Sequence, residues 1–142
     1  MEMKLKIKKI HPEAKLPEYA NSGDAGMDLF ALEKVIVKPG EIKRIRSGIA
    51  MELPEGYVGL CWDKSGMSIN HGMKVLAGVI DSGYRGEIIM GVVNLSKESY
   101  AFEKGHKVMQ MLIQPIEIME IVEADELSNS QRGEGGFGST GK

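Results

Sequence analysis

Short apolar runs bounded by polar residues account for most of this chain. Over residues 3–8, apolar side chains alternate with lysine, which is the period of a strand with one buried and one solvated face. Further short apolar runs are found at 34–38, 42–45, 49–53, 57–62, 74–80, 87–95, 108–114 and 117–122. No window of about 11 residues or more repeats its apolar positions at helical spacing. The best helical candidate is a turn or two between Lys64 and His71. The pattern therefore predicts an all-β protein.

Turn residues separate many of these runs. The segment Lys38-Pro39-Gly40-Glu41 has proline at the second position and glycine at the third, as a type II turn requires. The segment Leu53-Pro54-Glu55-Gly56 is expected to close another pair of strands, and residues 81–84 could turn a third.

Many short strands with such turns are typical of a sandwich, a barrel or a jelly roll. The runs at 75–80 and 88–93 are apolar on both faces, so they need a central position in a sheet or cover from another subunit. After Glu123 the sequence becomes polar and rich in glycine. We therefore expect a folded β body over residues 1–125 and a flexible C-terminal arm over residues 126–142.

Composition narrows the class of protein. The chain has 142 residues, 18 basic and 20 acidic side chains and a formal net charge of −2, which predicts one domain and disfavours nucleic acid or an anionic membrane as the main partner. No apolar run approaches the roughly 20 residues of a membrane span, and no signal-peptide core follows the N-terminus. The single cysteine, Cys61, excludes an internal disulfide and suits the cytoplasm. The three histidines lack the spacing of metal ligands.

Two stretches in the first half carry polar groups among apolar neighbours. In AGMDLFA (25–31) the carboxylate of Asp28 lies in an apolar setting, where it needs a partner whether it fixes a loop or serves a site. In DKSGM (63–67) a lysine, a hydroxyl and a glycine follow a predicted strand. They could form an anion nest or an ordinary loop.

Two later stretches offer further candidates. In AGVIDSGYRGE (77–87) an apolar strand leads to Asp81, with Tyr84 three residues later. The acid could hold a water as a general base, or it could cap its own turn in a plain hairpin. In GHKVMQMLI (105–113) Gln110 is an amide amid apolar residues, and its partners could be backbone groups or a ligand.

The chain ends in RGEGGFGSTGK (132–142), which is too rich in glycine to fold alone. It could be a solvated terminus or a segment that closes over a site elsewhere. Residues 136–142 spell G-x-x-x-x-G-K, but a phosphate loop also needs a following Ser or Thr and a helix. Neither is present, so a phosphate loop is excluded.

Together the five stretches resemble the five motifs of the trimeric dUTPases, in order and approximate spacing, over almost the whole chain. The third and fifth are the specific ones. The resemblance implies a β jelly roll of the dUTPase type that forms a homotrimer with active sites between subunits. It also implies cleavage of dUTP to dUMP and pyrophosphate, which limits uracil in DNA and supplies dUMP for thymidylate synthesis.

The resemblance also implies roles around the nucleoside. Asp81 would orient and deprotonate the water that attacks the α-phosphorus. Tyr84 would stack on the deoxyribose and exclude a 2′-hydroxyl. The uracil edge would be read by backbone groups of Gly78, Val79 and Ile80.

Other residues would hold the triphosphate, with Mg²⁺ bound to it rather than directly to the protein. Asp28 would support the site through metal-bound water. In the arm, Arg132 would bind the γ-phosphate and Phe137 would cover the uracil. Phosphate oxygens would contact Lys64, Ser65, Gly66 and Gln110. Further donors in the arm would be Gly138, Ser139 and Thr140.

The second stretch departs from the family pattern, which usually has arginine before Ser-Gly, often after proline. This chain has Asp63-Lys64 there. Lysine keeps the charge but loses the planar fork that binds phosphate in a bidentate manner. Lys64 therefore either replaces the arginine on phosphate or pairs with Asp63. Trp62 is also unexpected, and we interpret it as a core or trimer-contact ring.

Two rivals remain. The dCTP deaminases are similar in fold, but their catalytic glutamate lies on the strand after the hairpin, where this chain has Gly91. A regulatory protein that binds nucleotide without turnover is the other alternative. The presence of Asp81, Tyr84 and the whole tail argues against it.

Overall fold

The computed structural model describes residues 3–142, and short strands dominate it. The strands are β1 (Lys6–Lys9), β2 (Met27–Phe30), β3 (Val35–Val37), β4 (Ile42–Arg46), β5 (Ile49–Glu52), β6 (Tyr57–Trp62), β7 (Met73–Leu76), β8 (Val79–Ile80), β9 (Ile89–Asn94), β10 (Tyr100–Phe102) and β11 (Lys107–Pro115). One π-helical turn, Gly66–Asn70, lies where the helical turn was predicted. Residues 3–142 contain no helix long and apolar enough to cross a membrane. The predicted all-β class is confirmed.

The strands form four small antiparallel sheets. The largest has the order β2-β11-β6-β8, and a second has the order β4-β9-β7. The pairs β1-β5 and β3-β10 complete the set. Most neighbours are not consecutive in sequence, so the chain crosses repeatedly between layers, as it does in a sandwich.

One apolar core joins the four sheets. Leu29, Met51, Met90 and Phe102 come from four different sheets, and each is at most 3% exposed. They belong to one cluster of buried residues. Since every sheet contributes to it, the sheets pack on one another around a shared interior.

The turn predicted at 38–41 is confirmed. Gly40 has a φ of 74°, and the Glu41 N–H donates to the Lys38 carbonyl at 3.0 Å. Glycine adopts this left-handed conformation without the steric cost that a side chain would bring. The turn joins β3 to β4.

The single strand predicted over 74–80 is wrong, because the chain breaks it in two. β7 lies in the three-stranded sheet and β8 in the four-stranded sheet. Between them Ala77 and Gly78 have φ values of 58° and 111°. A Cβ at Gly78 would lie 2.8 Å from the Cβ of Cys61. The backbone therefore changes layers here by passing closer to β6 than a side chain would permit.

The strand predicted over 117–122 is also wrong for the single chain. No strand is formed after Pro115 in the described residues. Ile118, Met119 and Ile121 are 82%, 70% and 96% exposed. No neighbouring strand of this chain lies beside the segment, so its apolar residues have no surface on which to pack.

Candidate active site

β8 and the turn after it present a free strand edge. The turn predicted at 81–84 is present, but it does not close a paired hairpin, because β8 and β9 belong to different sheets. β8 is the last strand of its sheet and pairs with β6 on one side only, through Val79 with Leu60 and Ile80 with Gly59. The other row of its backbone N–H and C=O groups faces away from the described sheet. Such an edge leaves backbone donors and acceptors available to a ligand or to another strand.

Asp81 and Tyr84 leave this edge together and line one pocket of about 250 Å³. The turn between them is closed by the Tyr84 N–H donating to the Asp81 carbonyl at 3.1 Å. A second closure comes from Arg85, whose guanidinium donates to the carbonyls of Ser82 and Tyr84. Within residues 3–142 the Asp81 carboxylate has no hydrogen-bond or ion-pair partner. The turn is therefore held by other groups, and the alternative that Asp81 caps its own turn is wrong.

The same pocket contains two residues that the sequence did not reveal, Arg44 on β4 and Ile89 on β9. The pairing of β4 with β9 brings Arg44 there. No motif signals these two positions, because only the register between distant strands sets them. Glu87, the last residue of the third stretch, also lies on the wall, and Arg46 clamps it with hydrogen bonds of 2.8 to 3.2 Å.

The ring of Tyr84 folds back on the loop between β8 and β9. Its hydroxyl donates to the Glu87 carbonyl at 2.8 Å. A Cβ at Gly86 would lie 2.5 Å from the Tyr84 Oη and 2.6 Å from its Cζ. The glycine therefore makes room for the ring, which becomes a fixed wall of the pocket.

A second cluster lies across three neighbouring strands. Asp28 on β2, Gln110 on β11 and Trp62 on β6 occupy matching positions, so their side chains share one face of the sheet. The Gln110 amide donates to the Asp63 carbonyl at 2.9 Å, which gives the amide one backbone partner. A Cβ at Gly26 would collide with the Gln110 side chain. Trp62 is 54% exposed, so a core position for this ring is wrong.

Asp28 is the buried charge of this cluster, at 2% exposure. The Lys64 Nζ donates to its Oδ1 at 2.5 Å, and the Lys107 Nζ lies 2.9 Å from its Oδ2. The direction of the second contact does not suit a hydrogen bond, so Oδ2 has none within the described chain. Burial alone would raise the pKa of the Asp28 carboxyl, but the two lysines outweigh it and hold the pKa below its usual value.

Lys64 is therefore engaged by Asp28. The alternative pairing with Asp63 is wrong. Asp63 instead accepts from the Lys74 Nζ and the Val75 N–H, each at 2.6 Å. Burial raises the pKa of Asp63, but these donors outweigh it and hold the pKa below its usual value. Asp63 thus fixes the loop, and the neighbouring Ser65 side chain makes no capping hydrogen bond.

The two clusters are separated within one chain. Ile80 pairs with Gly59, whereas Trp62 ends the same strand three residues later, roughly 10 Å away at the rise of a strand. Because β8 runs antiparallel to β6, Asp81 continues away from Trp62. The chain alone does not bring Asp81 beside Lys64 or Gln110.

The C-terminal segment contacts neither cluster. The Arg132 Nε donates to the Gly135 carbonyl at 2.8 Å, and the other hydrogen bonds of residues 133–141 stay within the tail. Phe137 is fully exposed. The site roles expected for Gly138, Ser139 and Thr140 remain predictions, since these residues are exposed and far in sequence from both clusters.

Residues 3–142 hold no group of three or more His, Cys, Asp or Glu side chains that could bind a metal ion. The buried carboxylate of the second cluster, Asp28, already has two lysines beside it. These residues fit a cation that arrives with a polyphosphate better than one bound in a protein cage, since Mg²⁺ usually keeps waters and substrate oxygens as ligands.

The chain is similar to known proteins over almost its whole length. A family model described as dUTPase matches residues 12–141. The deoxyuridine 5′-triphosphate nucleotidohydrolase of Alkaliphilus metalliredigens is 50% identical over 139 residues, 96% of each chain. The enzyme of that name from Clostridium kluyveri is 49% identical over 141 residues, covering 98% of this chain and 99% of its own.

Solved structures are similar as well. The dUTPase of Staphylococcus bacteriophage 80alpha with dUPNHPP has a TM-score of 0.91 and 34% identity, covering 98% of this chain and 99% of its own. A variant dUTPase from phage phi11 of S. aureus, described with a structural Mg(II) ion, has a TM-score of 0.82 and 28% identity. It covers 87% of this chain and 98% of its own.

Proposed function

The chain belongs to the dUTPase family, and we infer that it hydrolyses dUTP to dUMP and pyrophosphate. Water attacks the α-phosphorus, and the reaction limits uracil in DNA while supplying dUMP for thymidylate synthesis. The observation that carries this inference is the pocket after β8, which Asp81 and Tyr84 both line. Within residues 3–142 the Asp81 carboxylate has no hydrogen-bond or ion-pair partner. Phosphoryl transfer needs positioning and neutralisation of charge more than covalent help.

We propose that Asp81 is the general base. It lies at the start of a turn that one backbone hydrogen bond and Arg85 hold closed. Its carboxylate accepts no hydrogen bond within the described residues, so it is available to a water. An acceptor with a fixed position can orient that water and take its proton as the bond to phosphorus forms.

The edge of β8 is proposed to read the base. Gly78, Val79 and Ile80 would supply the backbone contacts. Val79 directs its N–H and C=O to the free side, because the Cys61 N–H donates to the Gly78 carbonyl at 2.8 Å and Ile80 lies opposite Gly59, so that these two residues bond to β6. The Tyr84 ring would stack on the deoxyribose and leave no room for a 2′-hydroxyl. The narrow space beside β8 and its turn would exclude the methyl group of thymine.

Substitution of Gly86 tests the role of this ring. Gly86→Ala puts a methyl group 2.5 Å from the Tyr84 Oη, so the ring must move while the fold is kept. We expect the preference for dUTP over UTP to fall about tenfold, which corresponds to losing roughly 1.4 kcal/mol of discrimination. The measurement is kcat/KM for both nucleotides.

Gly83→Ala is the matched control. It adds the same methyl group to the same loop between β8 and β9, but nothing lies within 4 Å of the new Cβ. It should keep the wild-type preference. Equal UTP discrimination in the Gly86 and Gly83 variants would refute the proposed contact between Tyr84 and the sugar.

The second cluster is proposed to bind the triphosphate, through Lys64, Ser65, Gly66 and Gln110. With Asp28, these residues are called the phosphate cluster. Ser65 opens the π-helical turn without a capping bond, so its hydroxyl is available to phosphate. Mg²⁺ bound to the triphosphate would neutralise much of its charge. Asp28 would support the site from behind, through metal-bound water.

We propose that the functional unit is a homotrimer with its sites between subunits. Two observations support this. The pocket of Asp81 and Tyr84 lies at one end of the β6–β8 pairing, and the phosphate cluster lies at the other. One chain therefore does not complete the site. Residues 116–122 also expose a row of apolar side chains, and burying them against another chain would remove a large apolar surface from water.

The arm over residues 126–142 would close the site, with the body ending near Asp125. Arg132 would bind the γ-phosphate, and the exposed ring of Phe137 would cover the uracil. Gly138, Ser139 and Thr140 would add donors. A flexible glycine-rich segment loses its conformational entropy only when it binds. Once ordered over the nucleotide, it would exclude bulk water.

The cytoplasm is the proposed compartment. The single thiol, Cys61, is half-buried, and burial raises its pKa to about 11. A reducing compartment suits a chain with one unpaired cysteine.

The direct test is to incubate the pure protein with each dNTP and with UTP, in the presence of Mg²⁺, and to identify the products. We expect dUMP and pyrophosphate from dUTP, with little action on dTTP, dCTP or UTP. Removal of Mg²⁺ with EDTA should strongly reduce the rate.

The rivals predict other products. A dCTP deaminase would convert dCTP to dUTP or dUMP, although Gly91 in the middle of β9 leaves that reaction without its acid. A nucleotide-binding regulator would bind dUTP without releasing pyrophosphate. Either result would replace the function proposed here.

A further inference from the structure

Lys107 is a second cation beside the buried carboxylate of the phosphate cluster. Its Nζ lies 2.9 Å from the Asp28 Oδ2, while the Lys64 Nζ lies 2.5 Å from Oδ1. The two lysine side chains are 44% and 28% exposed, and the Asp28 side chain is 2% exposed. One buried negative charge therefore faces two positive charges that both reach solvent.

A bulge in β11 aims Lys107 at this carboxylate. Gln110 pairs with Asp28 in regular register, but the register shifts between Lys107 and Met109. A bulge of this kind redirects the side chain beside it. Glu18 and Asp24 also act on Lys107, but the contact with Asp28 is the largest cause of its raised pKa.

The two lysines differ in the work expected of them. Under the proposed function Lys64 binds the triphosphate, so it must give up Asp28 when dUTP arrives. Removing the counter-ion of a buried carboxylate is strongly unfavourable. Lys107 sits on the other oxygen and remains there, so the carboxylate stays neutralised while Lys64 moves.

We propose that Lys107 is a positioning residue that frees Lys64 for the triphosphate by keeping the Asp28 carboxylate paired. The inference rests on the proposed function of this site. It assigns the chain an exchangeable pair of lysines: one moves between carboxylate and phosphate, and the other stays.

The test is Lys107→Gln, which leaves Asp28 paired with Lys64 in the free protein and so should fold. Binding of dUpNHpp, a dUTP analogue, is measured by calorimetry, and KM and kcat are measured with dUTP. We expect the Kd and the KM to rise about tenfold, the size of a 1.4 kcal/mol loss. We expect kcat to stay near wild type, because Lys107 does not touch the reacting atoms.

Three further variants give the result its meaning. Lys107→Arg keeps the charge and should bind like the wild type. Lys104→Gln removes a nearby lysine that pairs with Glu13 on the surface, and it should also bind normally. In an Asp28→Asn background no carboxylate needs a partner, so adding Lys107→Gln should change Kd by less than about twofold.

Each outcome decides a separate point. If the wild type binds dUpNHpp and Lys107→Gln binds equally well, Lys107 has no positioning role. If Lys107→Gln costs as much in the Asp28→Asn background, Lys107 acts on the phosphate directly and the inference is wrong. If the wild type neither binds the analogue nor turns over dUTP, the proposed function itself fails.

Discussion

Asp81→Asn is expected to lower kcat for dUTP by about two to four orders of magnitude, the usual scale for a positioned general base. Asparagine keeps the shape of the side chain and loses only its basicity. Binding of dUpNHpp should therefore survive, since the base edge of β8 and the phosphate cluster are unchanged. Steady-state kinetics and calorimetry measure the two effects separately.

The structure makes this substitution a clean one. The Asp81 carboxylate has no partner among residues 3–142, and the turn depends on its backbone carbonyl and on Arg85. The melting temperature should stay close to that of the wild type. Ser82→Ala is the control, because it alters the same turn and leaves the carboxylate in place. A kcat near the wild-type value in Asp81→Asn would refute the assignment.

Local patterns predicted several strands well, including the three-residue β3. The run at 57–62 has the same bounds as β6, and the runs at 34–38, 49–53 and 108–114 each lie within a residue of an observed strand. These segments combine β-branched or aromatic residues with clear turn residues at their ends, so local preference and tertiary packing agree.

Elements without a clear apolar run, or with a break inside one, were harder to predict. The pattern did not identify β10, which has three residues, or β2, which is four buried residues that include Asp28. The run at 74–80 gave no sign of its break, because the positive φ of Ala77 depends on how β7 and β8 join different sheets. Sequence shows the apolar content of a strand but not the sheet to which it belongs.

The candidate site follows the same division. Its motifs were visible in the sequence, because each is a compact group of residue types with a shared chemistry. The counter-ions were not visible. Lys64 and Lys107 both meet Asp28 only through the registers of β2, β11 and β6, and these pairings join residues that are far apart in the chain.

The exposed segment after β11 suggests why the rest could not be predicted. Residues 116–122 have the alternation of a strand but no partner within one chain. An apolar alternation that packs against another subunit looks the same in the sequence as one that packs within its own chain. Only the structure of the chain reveals which apolar surfaces stay uncovered.

Deletion of residues 131–142 is expected to lower kcat by about a hundredfold, the scale of losing fixed donors and the exclusion of water at a phosphoryl-transfer site. The body should remain folded, because the deleted residues bond only among themselves and to Ser130. Circular dichroism and gel filtration check the fold and the assembly. Normal kcat in the truncated protein would mean that the arm does not close the site.

The arm is expected to act on a neighbouring subunit. Residues 126–142 can span roughly 50 Å when extended, enough to reach another subunit in a compact trimer. Truncated protomers keep the base and lack the arm, whereas Asp81→Asn protomers keep the arm and lack the base. If the two are unfolded and refolded together, a site is complete when its base comes from one kind of chain and its arm from the other.

For random assembly the fraction of complete sites is the product of the two mixing fractions. It is largest at equal amounts, where about one quarter of wild-type activity should return. Refolding each variant alone, or mixing the two without unfolding, supplies the baseline. If the arm closes over the Asp81 of its own chain, no ratio restores activity, because every chain then lacks one of the two parts. A recovery that rises and falls with the mixing ratio requires that the arm and the base of one site belong to different chains.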